Sequence, residues 1–163
     1  MNTLRAINNF LASIAMMLAM CIIFVMVAAL TLSASTRFLT GSGFAWFIEL
    51  PPVLVSWLVF PLLGPLLKKG QHIQVDFLTP LLSIKSKKIL NFSVNLVALI
   101  SACIFFKAGL EATQLYYNLG QMLDIEISVP IWWMFLAFPV GFFILGLVSI
   151  ELLIDNLLDL YKG

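Results

Sequence analysis

The sequence has few charged residues and few groups that could bind a metal or carry out acid–base chemistry. Asp, Glu, Lys and Arg make up 10% of the 163 residues, and there are one histidine and two cysteines. A soluble domain has roughly a quarter charged residues, so this chain could not cover its surface in water. The formal net charge is +1, which argues against nucleic acid as a partner.

The cysteines and the histidine give no support for a cofactor. Cys21 and Cys103 both fall in apolar segments, which favours small packing residues over a disulfide or a redox pair. His72 alone cannot supply two axial haem ligands, and a metal site would need more ligands. With Asp76 it forms an i,i+4 pair, which favours a cap or an interface hydrogen bond over catalysis. We therefore expect no enzyme activity, no cofactor and no bound metal.

Apolar residues, in contrast, make up 62% of the chain and form four long runs. A hydrocarbon core about 30 Å thick is crossed by about 20 apolar residues in a helix. Lipid offers the backbone no hydrogen-bond partners, so the runs predict helices, and they lack the alternation of barrel strands. We predict an all-α membrane protein with a single four-helix transmembrane domain over residues 1–163 and spans at about 10–35, 50–67, 89–110 and 128–151.

The basic residues predict how this bundle is oriented. Seven of the nine Lys and Arg residues lie on the side that would carry both termini: Arg5, Lys68, Lys69, Lys85, Lys87, Lys88 and Lys162. Only Arg37 and Lys107 lie on the other side. Because Lys and Arg accumulate on the cytoplasmic side of membrane proteins, both termini are expected in the cytoplasm.

The loop between the second and third spans is more apolar than a plain linker. Four of its residues follow helical spacing: Phe77, Leu78, Leu81 and Leu82. Asp76 is a suitable N-cap for such a helix, and lysines flank the loop. We predict a short helix that lies in the cytoplasmic interface. The alternative is an apolar loop packed beneath the bundle.

Two local patterns predict departures from four plain spans. Pro61 and Pro65 should kink the cytoplasmic half of the second helix, because proline removes a backbone donor. Lys107 and Glu111 are four residues apart and would share one face of a helix. The third helix is therefore expected to continue past the membrane surface towards Tyr116.

No charged residue lies in the middle of a predicted span. Ion and proton pathways usually place an acidic or basic residue at membrane depth, where it is energetically costly. Every charge in this sequence is instead expected at the end of a helix or in a loop. The chain alone is therefore a poor candidate for a channel, a pump or a carrier.

The remaining features suit packing between helices. Small residues, which allow helices to approach closely in lipid, occur in the first and fourth spans: Ala15, Ala19, Gly141 and Gly146. They could serve the bundle itself or the docking of a second membrane protein. Trp57 is expected near the middle of the membrane, where its indole N–H needs a partner or a protein surface.

Ordered landmarks along the chain point to a family. These are Arg37-Phe38 after the first span, Trp46 and Glu49 before the second, Lys69-Gly70-Gln71-His72-Ile73-Gln74-Val75-Asp76 after the second, Pro130-Ile131-Trp132-Trp133 at the start of the fourth, and Pro139-Val140-Gly141 within it. Their order resembles the small membrane subunit of tripartite ATP-independent periplasmic (TRAP) transporters. The resemblance covers nearly the whole chain, and the Lys69–Asp76 stretch is its most specific part.

The resemblance implies a function that the residues alone did not. Such transporters combine a periplasmic substrate-binding protein, a large multi-span subunit and a small four-span subunit. The large subunit would hold the substrate and sodium sites and move as an elevator. The small one would brace its stationary scaffold and is a candidate for docking the binding protein. The implied substrates are organic acids: dicarboxylates, keto acids or sialic acids. The expected partners are the large subunit, the binding protein and membrane lipids, and the implied location is the bacterial inner membrane.

The resemblance also implies where individual residues lie. Arg37 and Glu49 would mark the periplasmic end, paired with each other or with groups on a partner. Gly70 would supply a backbone bend, and Lys69 would meet a lipid phosphate or a neighbouring carboxylate. Pro130 would start the fourth helix, with its tryptophans in the aromatic belt. The residues expected to contact partners or lipid are Arg37, Trp46, Glu49, Trp57, Lys69, Gly70, His72, Asp76, Pro130, Trp132, Trp133, Pro139 and Gly141.

Two other classes of function stay open at this stage. One is a membrane anchor or redox subunit of a multi-subunit membrane enzyme, which would need haem, quinone or metal at Cys21, Cys103 or His72. The other is a self-contained four-span exporter. Such exporters normally place an acidic residue inside a helix, and no predicted span contains one away from its ends.

Overall fold

The computed structural model describes residues 2–42, 46–69, 84–123 and 128–161. These residues form six α-helices, one 3-10 turn and a two-stranded hairpin. In chain order the elements are α1 (Asn2–Thr40), α2 (Trp46–Val59), the 3-10 turn (Phe60–Leu62), α3 (Leu63–Lys68), α4 (Ile84–Leu119), β1 (Met122–Leu123), β2 (Val129–Pro130), α5 (Ile131–Phe135) and α6 (Ala137–Tyr161). The interfacial helix predicted after Asp76 lies outside the described residues.

Four helical segments are long and apolar enough to cross a membrane. They are Thr3–Thr40, Pro51–Lys68, Ser86–Leu119 and Ile131–Leu158. The first and third segments each consist of one continuous helix, while the second and fourth are interrupted. The predicted class, an all-α membrane protein with four transmembrane helices, is confirmed.

Two of the helices are longer than a membrane crossing requires. Helix α1 has 39 residues and α4 has 36, so at about 1.5 Å per residue they measure about 58 and 54 Å. The hydrocarbon core is only about 30 Å thick, so both helices must extend beyond it or tilt. Helix α4 ends at Leu119, past Tyr116, which confirms the predicted continuation of the third helix.

The second span is interrupted at a proline. Helix α2 ends at Val59, and Pro61 lies in the 3-10 turn that follows. Because Pro61 has no N–H, it cannot donate to the carbonyl of Trp57, and the α-helical pattern breaks. Pro65 lies in the first turn of α3, where backbone N–H groups lack helical partners in any case. The irregularity predicted from these prolines is confirmed at Pro61.

The fourth span is interrupted between α5 and α6. Pro130 is the N-cap residue of α5, and a turn at Leu136 separates the two helices. Pro139 has no N–H to donate to the carbonyl of Phe135, so helical bonding is incomplete at this junction. The N–H of Val140 reaches the carbonyl of Leu136 only at 3.4 Å. The junction allows α5 to pack against α4 while α6 continues through the bundle.

A short hairpin between α4 and α5 was not predicted. Gly120 ends α4 with a φ of 59°, a left-handed conformation that glycine adopts easily. Met122 then pairs with Pro130, and Leu123 pairs with Val129, in antiparallel register. The N–H of Ile131 donates to the carbonyl of Gln121 at 3.1 Å. The loop between the third and fourth spans is thus closed at its base and holds α5 against the end of α4.

Helix α6 lies at the centre of the packing. In the most apolar 18-residue stretch of the fourth segment, half of the residues are buried, against 17% in the first segment and 11% in the third. A cluster of buried side chains joins α3, α4 and α6: Leu67, Ala102, Leu145 and Val148. Helices α1 and α4 therefore present most of their apolar side chains to whatever surrounds the bundle.

Gly141 sets the closest approach in this core. A methyl group built on it would lie 2.4 Å from the carbonyl atoms of Phe60, so only glycine lets α6 meet the 3-10 turn. Gly109 serves a similar close contact, because a side chain there would press on Pro139 at 3.0 Å. Ala15 and Ala19 are likewise buried within the chain. The small residues named from the sequence are thus used at least in part for internal packing.

Candidate functional site

A polar cluster lies where the first and last helices meet, and its centre is Glu151. This residue is 4% exposed and lies inside α6, which continues to Tyr161. The ammonium of Lys68 donates to its two carboxylate oxygens at 2.7 and 3.0 Å. The prediction that every charge sits at a helix end or in a loop is wrong for Glu151, because α6 extends ten residues beyond it. It is also wrong for Asp155 in α6 and for Lys107 and Glu111 in α4, which lie inside their helices.

Asn8 supplies the second hydrogen-bond donor to this carboxylate. Its amide nitrogen lies 2.6 Å from Glu151 Oε2 and 3.2 Å from the carbonyl oxygen of Leu147. The amide must present its nitrogen here, because its oxygen would face a carboxylate and a carbonyl, both acceptors. Asn8 is 1% exposed, so α1 is fixed to α6 by a contact that is closed to the surroundings.

The remaining members of the cluster complete a neutral network. Arg5 pairs with Asp155 at 2.5 Å, and Lys68 also donates to Asn9 at 2.8 Å. Two cations and two carboxylates therefore face one another across three helices. We call this set the termini cluster: Arg5, Asn8, Asn9, Lys68, Glu151 and Asp155.

The members of the termini cluster differ in exposure and hence in energetic weight. The side chains of Arg5 and Asp155 are 44% and 29% exposed, and such a pair contributes about 0–1 kcal/mol. The side chain of Glu151 is 5% exposed. Removing one partner of a buried charge typically destabilises a protein by about 3–5 kcal/mol, because the other charge is left unpaired. The Lys68–Glu151 contact therefore contributes most of the stability that the termini cluster provides.

From the sequence, Arg5 and Lys68 were predicted only to orient the bundle, and their contact with Glu151 was not predicted. A signal was present, because Glu151 and Asp155 are four residues apart at the end of a long apolar run and would share one face of a helix. Such an i,i+4 acidic pair inside an apolar helix predicts cationic partners on a neighbouring helix.

At the other end of the bundle, aromatic contacts hold the helices together. The indole N–H of Trp57 donates to the backbone carbonyl of Trp133 at 3.0 Å, and the centres of their rings are 5.7 Å apart. The expectation that Trp57 requires a partner or a protein surface is confirmed. This contact joins α2 to α5.

The same end contains two further ring pairs between α4 and α5. Tyr116 stacks on Phe135 with centroids 4.3 Å apart, and Tyr117 meets Trp132 edge to face at 5.7 Å. The extension of α4 beyond its span is therefore packed against α5. We call this set the aromatic end: Trp57, Tyr116, Tyr117, Trp132, Trp133 and Phe135.

The other predicted residues that fall in the described ranges do not converge on one site. Arg37 is exposed in the last turn of α1. Trp46 and Glu49 lie in the first turn of α2, but their side chains are outside what the structure describes, as is any pairing of Glu49 with Arg37. Three more predicted residues lie outside the described ranges altogether: Gly70, His72 and Asp76.

Lys69 lies at the C-terminal end of α3 and is exposed. Its ammonium lies 3.3 Å from the sulfur of Met16. Cys21 and Cys103 are exposed on α1 and α4. Across the four described ranges, no group of three or more His, Cys, Asp and Glu side chains is placed to hold a metal ion.

Comparison with known proteins identifies the family. The model of the family described as "Tripartite ATP-independent periplasmic transporters, DctQ component" matches residues 26–159, which is most of the chain. The chain belongs to this family. No curated protein matches it significantly.

Membership in this family gives the general role of the chain. It is the small permease component of a TRAP transporter, and its four apolar helical segments make it a protein of the inner membrane. The matched residues include the aromatic end and half of the termini cluster (Lys68, Glu151 and Asp155), while Arg5, Asn8 and Asn9 precede the match.

Proposed function

We propose that this TRAP small subunit is a non-catalytic brace that binds the scaffold of a large transport subunit through the outward faces of α1 and α4. The exposed apolar surface of these two long helices carries the proposal. Phe10, Met17 and Phe24 on α1 are all exposed. Val97 and Ile104 are exposed on α4. Surfaces of this kind in a membrane subunit suit contact with another helix bundle or with lipid.

The charges inside the bundle favour a structural role over transport by this chain. Glu151 is the acidic residue that a carrier would need, but its carboxylate is already bound by Lys68 and Asn8. A transported cation would have to displace an ammonium that already neutralises the site. The cluster therefore suits a permanent contact between α1, α3 and α6.

The finer parts of the proposal follow from the family and from charge. The transporter would use a sodium gradient to take up an organic acid of the dicarboxylate, keto acid or sialic acid class. Both termini would lie in the cytoplasm, as the excess of basic residues on their side indicates. The opposite end, with Arg37 and the aromatic end, would face the periplasm and the binding protein.

The first experiment measures uptake with and without this chain. Cells that express the large subunit and the binding protein should take up the organic acid only when the small subunit is present. The purified small subunit alone should move no substrate into liposomes. Transport by the isolated chain would contradict the bracing role.

A second experiment tests which surface meets the large subunit. A photoreactive amino acid in place of Phe24, which is exposed on α1, should cross-link to the large subunit. The matched control is Ile22, which is 6% exposed on the same helix and should cross-link only within the chain. Equal cross-linking from both positions would contradict the assignment of this face.

A further inference from the structure

An apolar groove runs between α1 and the segment formed by the 3-10 turn and α3. On α1 it is lined by Met16, Met20 and Ile23, and on the other side by Leu62, Leu66 and Lys69. Each set recurs every three or four residues, so each wall is one face of a helix. We call it the α1–α3 groove.

Lys69 stands at the end of this groove nearest the termini cluster. Its ammonium has three donors, yet its contact among the described residues is the sulfur of Met16 at 3.3 Å, a weak acceptor. The adjacent Lys68 contacts three oxygen atoms, two on Glu151 and one on Asn9. Lys68 is thus neutralised inside the chain, while the charge of Lys69 lies at the end of the apolar α1–α3 groove.

The dimensions of the groove suit a segment of one hydrocarbon chain. Its volume is about 160 Å³, close to the roughly 150 Å³ of an apolar cavity that binds one benzene. From Met16 to Ile23 it extends about 10 Å along α1, at about 1.5 Å per residue. A helix with side chains is about 10–12 Å across, so a partner helix could insert only single side chains.

We propose that the α1–α3 groove binds an anionic phospholipid, with an acyl chain between the helices and the phosphate on Lys69. The walls supply the apolar contact, and the exposed ammonium supplies the charge that a lipid phosphate complements. The cytoplasmic leaflet is the anionic one, which agrees with the proposed orientation. The inference requires that the chain lie in a membrane but does not depend on transport of any substrate.

The test uses the full chain in lipid nanodiscs that contain phosphatidylglycerol with a photoreactive acyl chain. Mass spectrometry of the irradiated protein should locate cross-links between Met16 and Ile23 or between Leu62 and Leu66. Lys69→Gln should lower this labelling about fivefold, because one lysine near an anionic surface contributes about 1 kcal/mol. Lys69→Arg should preserve it.

Lys87→Gln is the matched control, because Lys87 is exposed near the start of α4, on the same predicted side of the membrane. It removes the same charge and should leave labelling of the groove unchanged. Photoreactive phosphatidylcholine should label the groove several-fold less than phosphatidylglycerol. Size-exclusion profiles that match the unmodified chain would establish that each variant is folded.

Three results would overturn the proposal. One is equal labelling by the two lipids, and another is labelling that ignores Lys69→Gln. The third concerns a protein occupant, tested by repeating the experiment with the large subunit present. Loss of lipid labelling there, with zero-length cross-linking of Lys69 to a carboxylate of the large subunit, would assign the groove to the partner. None of these results bears on the uptake experiment, so the two proposals fail separately.

Discussion

The termini cluster and the aromatic end perform the same task with different chemistry. At the first, Lys68 and Asn8 from two other helices meet the carboxylate of Glu151 on α6. At the second, α2 meets α5 through one indole hydrogen bond, from Trp57 to the carbonyl of Trp133, and α4 adds ring contacts. A polar group in lipid is stable only when its partners lie within the protein. Both contacts supply such partners, but only the first does so with charges, and the buried Oδ1 of Asn8 there has no hydrogen-bond partner among the described residues.

The difference predicts unequal costs of mutation. Loss of a cation from the termini cluster leaves a buried carboxylate short of partners, whereas loss of an indole N–H leaves one carbonyl unpaired. The first penalty is several kcal/mol, and the second is about 1 kcal/mol. Reversible unfolding of the chain in mixed micelles measures both on one scale.

The largest effect is expected from Lys68→Met. This change keeps the apolar stem but removes the ammonium that contacts both oxygens of Glu151. Arg5 lies 4.0 Å from the same carboxylate and compensates only in part. The free energy of unfolding should fall by about 3–5 kcal/mol.

The neighbouring lysine provides the control. Lys69→Met should change stability in micelles without anionic lipid by less than about 0.5 kcal/mol, as exposed substitutions usually do. The double variant Lys68→Met with Glu151→Leu should recover most of the loss, because it removes both charges together. A double variant that is less stable than Lys68→Met alone would contradict the assignment of the loss to the unpaired carboxylate.

The close contact between α6 and the 3-10 turn should also be sensitive to substitution, but less so than the Lys68–Glu151 pair. Gly141→Ala would place a methyl group 2.4 Å from the carbonyl atoms of Phe60, so α6 must move away from the 3-10 turn. Overpacking of this kind costs about 1–3 kcal/mol. The same unfolding titration measures it.

Gly146→Ala is the matched change on the same helix. There the new methyl group would lie 3.6 Å from the Cβ of Ala102, an ordinary contact, so stability should be nearly unchanged. If both alanine variants lost the same stability, the cause would be a general need for glycine in α6 rather than the approach to Phe60.

The sequence was sufficient for the fold class because lipid permits few alternatives. Four apolar runs of sufficient length must be helices, and α1 and α4 follow directly from that constraint. The breaks at Pro61 and near Pro139 could be anticipated in the same way, since proline removes a donor at a known position. The hairpin formed by Met122–Leu123 and Val129–Pro130 is too short to leave a periodic pattern.

The contacts between helices could not be predicted, because they depend on the register of segments far apart in the chain. Asn8 and Glu151 are separated by 143 positions, and no feature of the sequence near either residue shows that they lie at the same height in the bundle. The need of Trp57 for a partner was predictable from its polar N–H, but its acceptor, a backbone carbonyl, has no signature in the side-chain sequence.

Trp57→Phe tests the aromatic end. The change keeps an aromatic ring near Trp133 but removes the N–H that donates to the Trp133 carbonyl. Hydrogen bonds between membrane helices average about 0.6 kcal/mol, with a maximum of about 1.7, so we expect a loss of about 0.5–1.5 kcal/mol in the unfolding titration. Trp132→Phe removes an indole for which the described residues give a ring contact rather than a hydrogen bond. It should cost less, and the opposite order would contradict the role assigned to the N–H.

The smallest effect is expected for an ion pair that is exposed. Lys107 and Glu111 are one helical turn apart on α4, with their closest charged atoms 3.8 Å apart and side chains 81% and 69% exposed. Glu111→Gln removes this pair as fully as Lys68→Met removes the buried one. The loss should be less than about 0.5 kcal/mol and should vanish at high salt, because solvent and ions screen exposed charges. Together the two variants separate charge from burial. If Glu111→Gln were as damaging as Lys68→Met, burial of Glu151 would no longer explain the weight of the termini cluster.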